Sequence, residues 1–224
     1  MTIVHYIYDP LCGWCYGAAP LVQAVRAVLP VVAHGGGMMM GTNRQQVSPQ
    51  LRNYVMPHDR RIAEYTGQTF GEAYFEGLLR DERAVFDSAP PTAAVLAAEQ
   101  LEGLGLDLLG RLQTAHYIEG RRIADEAVLL ELAQSIGLQA QAFQSAFVAV
   151  DVPAHVKASR TLLARIGGPG FPTLALEQHG HFTRIDISRW LGKPDAFADW
   201  LKHTLSTQAT PQESVMCGLD GCSF

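Results

Sequence analysis

Cys12-Gly13-Trp14-Cys15 sets two thiols three positions apart, which is one turn if the segment is helical and close enough for a disulfide to form and break. Thr2 to Tyr8 alternates β-branched and aromatic residues and ends at Asp9-Pro10, so the pair is expected to follow a strand and open a helix. Cys12 would then be exposed at the helix start and Cys15 less accessible one turn in. Unpaired backbone N–H groups and the positive end of the helix favour a thiolate at Cys12, and a thiolate is the attacking species in disulfide exchange. Cys15 would resolve the mixed disulfide, or the same steps in reverse would oxidise a dithiol. Read alone, the motif also fits half of a zinc site or two unrelated core cysteines.

Other residue groups have plainer readings. Cys217 and Cys222 bracket four residues in a polar, small-residue tail; they fit a relay to the first pair, an uninvolved tail, or a metal-binding segment. Gly35-Gly36-Gly37 lacks both the G-x-G-x-x-G spacing and a P-loop lysine, so phosphate binding is not expected. Met38, Met39 and Met40 read as core or groove lining, where thioethers make an adaptable apolar surface. His179 and His181 read as surface residues. Trp14, between the two cysteines, must lie near any bound substrate.

The elements that carry these residues follow from periodicity. A helical pattern runs from Cys12 through Leu21, Val22, Val25, Val28 and Leu29 and is stopped by Pro30; Val31 to Ala33 then reads as a short buried strand running into the glycines. Residues 2–40 thus fit one βαβ unit. From Asn43 to Ile166 the pattern is helical and without strand signal, punctuated at Pro49, Pro57, Ser88–Pro91, Gly120 and Gly137. Its last helix has Pro153 in the first turn and Gly167-Gly168 as its stop. Two strands, Pro172–Glu177 and His181–Ile187, are joined by a turn, and a helix runs from Pro194 to about Leu205. The outer segments form one sheet only if the helical block is an excursion. The expected division is therefore 1–41 with 167–206 as one unit, 42–166 as the inserted helical domain, and 207–224 as a tail.

Composition sets the remaining bounds. Of 224 residues, 48% are hydrophobic and 17% charged, enough apolar material for a packed core. The net charge of −5 gives no electrostatic reason to expect nucleic acid or an anionic membrane as partner. The first ten residues lack the basic region of a secretory signal, so the cytosol is the expected compartment. The most apolar stretch, Ala18 to Ala33, is interrupted by Pro20, Gln23, Arg26 and Pro30, so no membrane span is expected. Four cysteines are too few for a disulfide scaffold.

Pro20, five residues after Cys15, and Gly167-Gly168-Pro169-Gly170-Phe171-Pro172-Thr173 make the layout specific. The chain resembles the DsbA family of thioredoxin-fold oxidoreductases. Within that family, Tyr8-Asp9-Pro10-Leu11-Cys12-Gly13-Trp14-Cys15-Tyr16-Gly17 is similar to the FrnE and DsbM-like branch of cytosolic protein-disulfide isomerases, with a weaker match at Tyr117-Ile118-Glu119-Gly120-Arg121. The resemblance implies an α/β thioredoxin fold with a large inserted α-helical domain. It also implies a cis Phe171–Pro172 bond facing the cysteines, and a backbone there that pairs with substrate as an extra strand. The implied activity is thiol–disulfide oxidoreductase or isomerase, with Cys12 as nucleophile, Cys15 as resolver, and Phe171, Pro172 and Thr173 as the opposite wall.

No metal and no tightly bound cofactor are implied. In the cytosol, glutathione is the natural small co-substrate beside protein thiols and disulfides. Its cysteinyl backbone would pair at Phe171, its γ-glutamyl carboxylate would sit at the start of the final helix, and Asp186, Ser188 and Arg189 are the expected polar contacts. Kappa-class glutathione transferases and 2-hydroxychromene-2-carboxylate isomerases share the architecture but typically bind glutathione beside a serine; retention of both cysteines favours redox exchange. A zinc-binding or redox-sensing module using Cys12, Cys15, Cys217 and Cys222 is the non-enzymatic alternative.

Overall fold

The computed structural model describes residues 2–209, with side chains through 206. Strand β1 (Thr2–Tyr8) is central because its alternation serves two faces, and five of its seven residues, Val4 to Tyr8, are buried. It pairs in parallel with β2 (Val31–Gly35), Val4 opposite Val31, and antiparallel with β5 (Thr173–Gln178), Ile7 opposite Thr173. β5 is followed by the antiparallel edge strand β6 (His181–Ile185), giving the order β2-β1-β5-β6. The turn between β5 and β6 places His179 at φ 51°, and His179 and His181 are exposed, as expected of surface residues.

Two helices replace the single long one expected after Cys12. α1 (Gly13–Gly17) and α2 (Ala19–Arg26) are separated at Ala18, because Pro20 in the first turn of α2 has no N–H to continue the ladder. Leu21, Val22 and Val25 of α2 join Val4, Tyr6 and Tyr8 and, from α9 (Pro194–Ala209), Phe197 and Leu201 in one buried cluster. The parallel crossover, the antiparallel hairpin and the final helix make a thioredoxin fold.

The helical insertion lies between β2 and β5 in the chain. It holds α3 (Pro49–Thr66), α4 (Ala89–Glu102), α5 (Gly105–Tyr117), α6 (Glu126–Ser135), α7 (Ala140–Ala149) and α8 (Val152–Arg165). Two departures from the sequence reading occur here. Pro57 lies inside α3 instead of ending it: burial of Leu51, Met56, Asp59 and Ile62 on one face outweighs the roughly 3 kcal/mol that an interior proline costs. The block also contains a two-stranded ribbon, β3 (Gln45–Gln46) with β4 (Val85–Phe86). Two residues are too few to leave a period in sequence. α8 begins as expected, with Asp151 accepting a hydrogen bond from the Ala154 N–H and Pro153 in the first turn. Among the described residues, no helix is long and apolar enough to cross a membrane.

Candidate active site

The site forms where β1 ends. Asp9 turns the chain: its Oδ1 accepts the Leu11 N–H at 2.9 Å, its backbone carbonyl accepts the Cys12 N–H at 3.2 Å, and Cys12 becomes the N-cap of α1. The Cys15 N–H points at the Cys12 sulfur at 3.3 Å, the capping interaction that a serine would make through oxygen. The Cys12 thiol also donates to the Phe171 carbonyl at 3.6 Å. Both cysteines are free.

Cys12 is not exposed as a helix start would suggest. It is only 6% accessible, and Cys15 is fully buried, because the helical insertion covers the end of the sheet. Burial pushes the Cys15 thiol well up, and its contact with Cys12 adds to the shift. Cys15 therefore holds its proton, while the sulfur that receives a backbone N–H and opens to a cavity is Cys12.

The opposite wall is the segment before β5. The Phe171–Pro172 peptide is cis, and the Thr173 hydroxyl donates to the Gly170 carbonyl at 2.7 Å. Phe171 packs closely on the glycine loop: a Cβ on Gly36 would stand 2.1 Å from two atoms of its ring. Gly36 is thus explained by close approach of an aromatic ring, and Gly37 by its φ of 63°. Arg160 of α8 holds that loop, donating to the Gly36 and Gly37 carbonyls at 2.8 and 2.7 Å. Asp9 holds its far end, accepting the Met38 N–H at 2.6 Å and the Ser88 hydroxyl at 2.8 Å. Burial pushes the Asp9 carboxyl up to about 6 in spite of these donors and the Arg160 charge.

Two cavities meet at this wall, and Trp14 and Phe171 border both. One, of 330 Å³, is lined by Trp14, Phe171, Pro172, Thr173, Arg184, Asp186 and Ser188 among others. The other, of 710 Å³, contains Cys12, with Met38, Met39, Phe86 and residues of α3. Of the polar contacts expected for a small thiol, Asp186 and Ser188 lie at the smaller cavity, where the Ser188 N–H and hydroxyl both donate to Asp186 Oδ1, at 3.0 and 2.7 Å, and hold its carboxyl below the usual range. Arg189 is not among the lining residues; its guanidinium stacks on Trp190, 5.0 Å from the ring centre. The start of α9 does not line the cavity either. Met40 faces a separate groove beside α8. Cys217 and Cys222 lie outside the described residues.

Sequence reasoning passes over Asp59 and Tyr74, and reads Tyr117 only as part of a weaker family match; all three line the larger cavity. Asp59 is buried, its Oδ2 accepts the Tyr74 hydroxyl at 2.7 Å, and its Oδ1 stands 2.6 Å from where a Cβ on Gly13 would be. Burial pushes its carboxyl up to about 6. Its one sequence signal is a lone acid on the buried stripe of α3.

No family model and no curated protein matches the chain. Solved structures do. The cytosolic disulfide reductase DsbM from Pseudomonas aeruginosa is 54% identical over 92% of this chain and 99% of its own, with a TM-score of 0.84. The same protein with GSH is 52% identical over 91% and 99%, with a TM-score of 0.83. A protein from Nitrosomonas europaea, described provisionally as a protein disulfide isomerase, is 27% identical over 93% and 99%, with a TM-score of 0.76. With more than half of its residues shared across nearly the full length of a disulfide reductase, the chain is a thiol–disulfide oxidoreductase and belongs to the DsbM-like branch of the DsbA family.

Proposed function

We propose that Cys12 and Cys15 are a redox dithiol that reduces or isomerises protein disulfides in the cytosol and is recharged by glutathione. The observation that carries this reading is the placement of the Cys12 sulfur between the Cys15 N–H at 3.3 Å and the Phe171 carbonyl at 3.6 Å, beside a cis-proline wall. The Cys12 thiolate attacks one sulfur of a substrate disulfide; the S–S bond breaks and its electron pair leaves on the other sulfur, which takes a proton. Cys15, losing its proton, then attacks the Cys12 sulfur, releasing the second substrate thiol and leaving a Cys12–Cys15 disulfide. Two glutathione thiols return the pair to the dithiol and leave as glutathione disulfide.

The backbone at Phe171 offers edge pairing to an extended substrate, with Trp14, Pro172 and Thr173 shaping the wall. The smaller cavity suits glutathione: Arg184 supplies a cation for a carboxylate, and Asp186, backed by Ser188, an anion for the γ-glutamyl ammonium. The solved structure of a relative with GSH supports glutathione as a partner. The test is thiol trapping with intact and peptide mass spectrometry across glutathione redox ratios. The wild type is expected to pass reversibly to a Cys12–Cys15 disulfide, and Cys15→Ser to accumulate one glutathione on Cys12. Turnover surviving Cys12→Ser, or an adduct elsewhere, would refute the assignment.

A further inference from the structure

The 710 Å³ cavity is the one into which Cys12 opens. Most of its wall is apolar, with Leu51 and Val55 of α3 facing Met38, Met39, Phe86 and Phe171. Among the described residues no lysine or arginine lines it, Asp59 is its one acid, and His58 is its one basic side chain. Asp59 is only 5% exposed, and its Oδ2 is taken by the Tyr74 hydroxyl. Oδ1 accepts no hydrogen bond among the described residues and sits against Gly13, the residue next to the nucleophile. That oxygen borders the cavity, where an incoming cation can reach it and pair with the carboxylate. The smaller cavity, by contrast, carries Arg184 beside Asp186, a cation and an anion for the two kinds of charge on glutathione. An anionic tripeptide therefore fits the smaller cavity and is disfavoured in the larger one.

We infer that the larger cavity is a second subsite for a protein substrate, taking an apolar segment with a lysine or arginine within two residues of the disulfide cysteine, the cation pairing with Asp59 Oδ1. The reach is short because Asp59 touches the position next to Cys12, and one extended residue spans about 3.3 Å. The two cavities then sort partners by charge: the small anionic thiol on one side of the Trp14–Phe171 divide, the cationic apolar segment on the other. This inference rests on the dithiol reading above.

The test uses two disulfide-linked peptides that differ only in Lys or Glu beside the cysteine in an apolar sequence, each normalised to its exchange with free dithiol. The full chain is expected to favour the lysine peptide by about tenfold in kcat/KM. Asp59→Asn, which keeps an oxygen for Tyr74, is expected to bring the ratio within twofold. Tyr54→Lys, at a 69% exposed position on the cavity wall, should lower it without touching the core. A ratio near one for the wild type, or a ratio unmoved by both substitutions, overturns the inference. Exchange of both peptides at equal rates overturns the subsite alone, whereas exchange of neither overturns the dithiol reading with it.

Discussion

Gly36→Ala tests whether the wall opposite Cys12 is set by the contact between the glycine loop and Phe171. Gly36 does not have a positive φ, so alanine meets no backbone strain there and the only penalty is steric. The new methyl would stand 2.1 Å from Cε1 and Cζ of Phe171. Ordinary carbon contact is about 3.5 Å, so the ring must move by about 1.4 Å. The ring separates the two cavities, so when displaced it fills one of them and drags the carbonyl that now lies 3.6 Å from the Cys12 sulfur. Overpacking of this kind costs about 1–3 kcal/mol of stability. A misplacement of about 1 Å at a reacting centre costs up to about a hundredfold in rate. Disulfide turnover is therefore expected to fall by about tenfold to a hundredfold, with urea unfolding showing the stability loss of about 1–3 kcal/mol. Phe171→Ala removes the clashing ring, so in that background Gly36→Ala should have almost no further effect, an interaction that a double-mutant cycle measures. Wild-type turnover in Gly36→Ala, or additive losses in the double variant, would refute the argument.

Three further outcomes follow from particular contacts. Asp9→Ala removes a carboxylate that accepts from Leu11, Met38 and Ser88, leaving buried N–H groups without partners; a loss of about 3 kcal/mol is expected in urea unfolding. Gly13→Ala places a methyl 2.6 Å from Asp59 Oδ1 and 2.9 Å from Ile62 Cδ1, so about 1–3 kcal/mol should be lost, and less in an Asp59→Ala background. His34 is held down to about 4 by burial first and by the neighbouring His5 and His155 charges, against an ordinary value of 6.5. Between those values the unfolded chain binds a proton that the folded chain does not, so this group makes stability fall as pH falls from 6.5 toward 4. His34→Gln should flatten that fall by about 1.4 kcal/mol per pH unit, read from urea unfolding at pH 6 and pH 5.

Much of this site is local in the chain, and local features are legible. A strand pattern ending at Asp9, two cysteines one turn apart, Pro20 in the next helix and a glycine-proline segment before a strand each record a constraint on neighbouring residues, so these elements and the paired thiols could be read directly, and the thioredoxin fold through the family resemblance that they carry. The same locality explains what was missed. That Cys12 is 6% accessible depends on α3, which is far from it in sequence and packs over α1. The two-residue ribbon strands exist only because Gln45 and Phe86 are brought together by the helices around them. Gly36 reads as a flexible glycine in sequence, and only the arrival of Phe171, more than a hundred residues later, shows what its missing side chain makes room for. Asp59 is a lone acid on a helical stripe until folding sets it against Gly13 and under Tyr74. Periodicity and motif spacing report how a residue relates to its near neighbours. Burial, cavity walls and charge in a closed site depend on residues that meet only when the chain is packed, and those were decided by the tertiary structure.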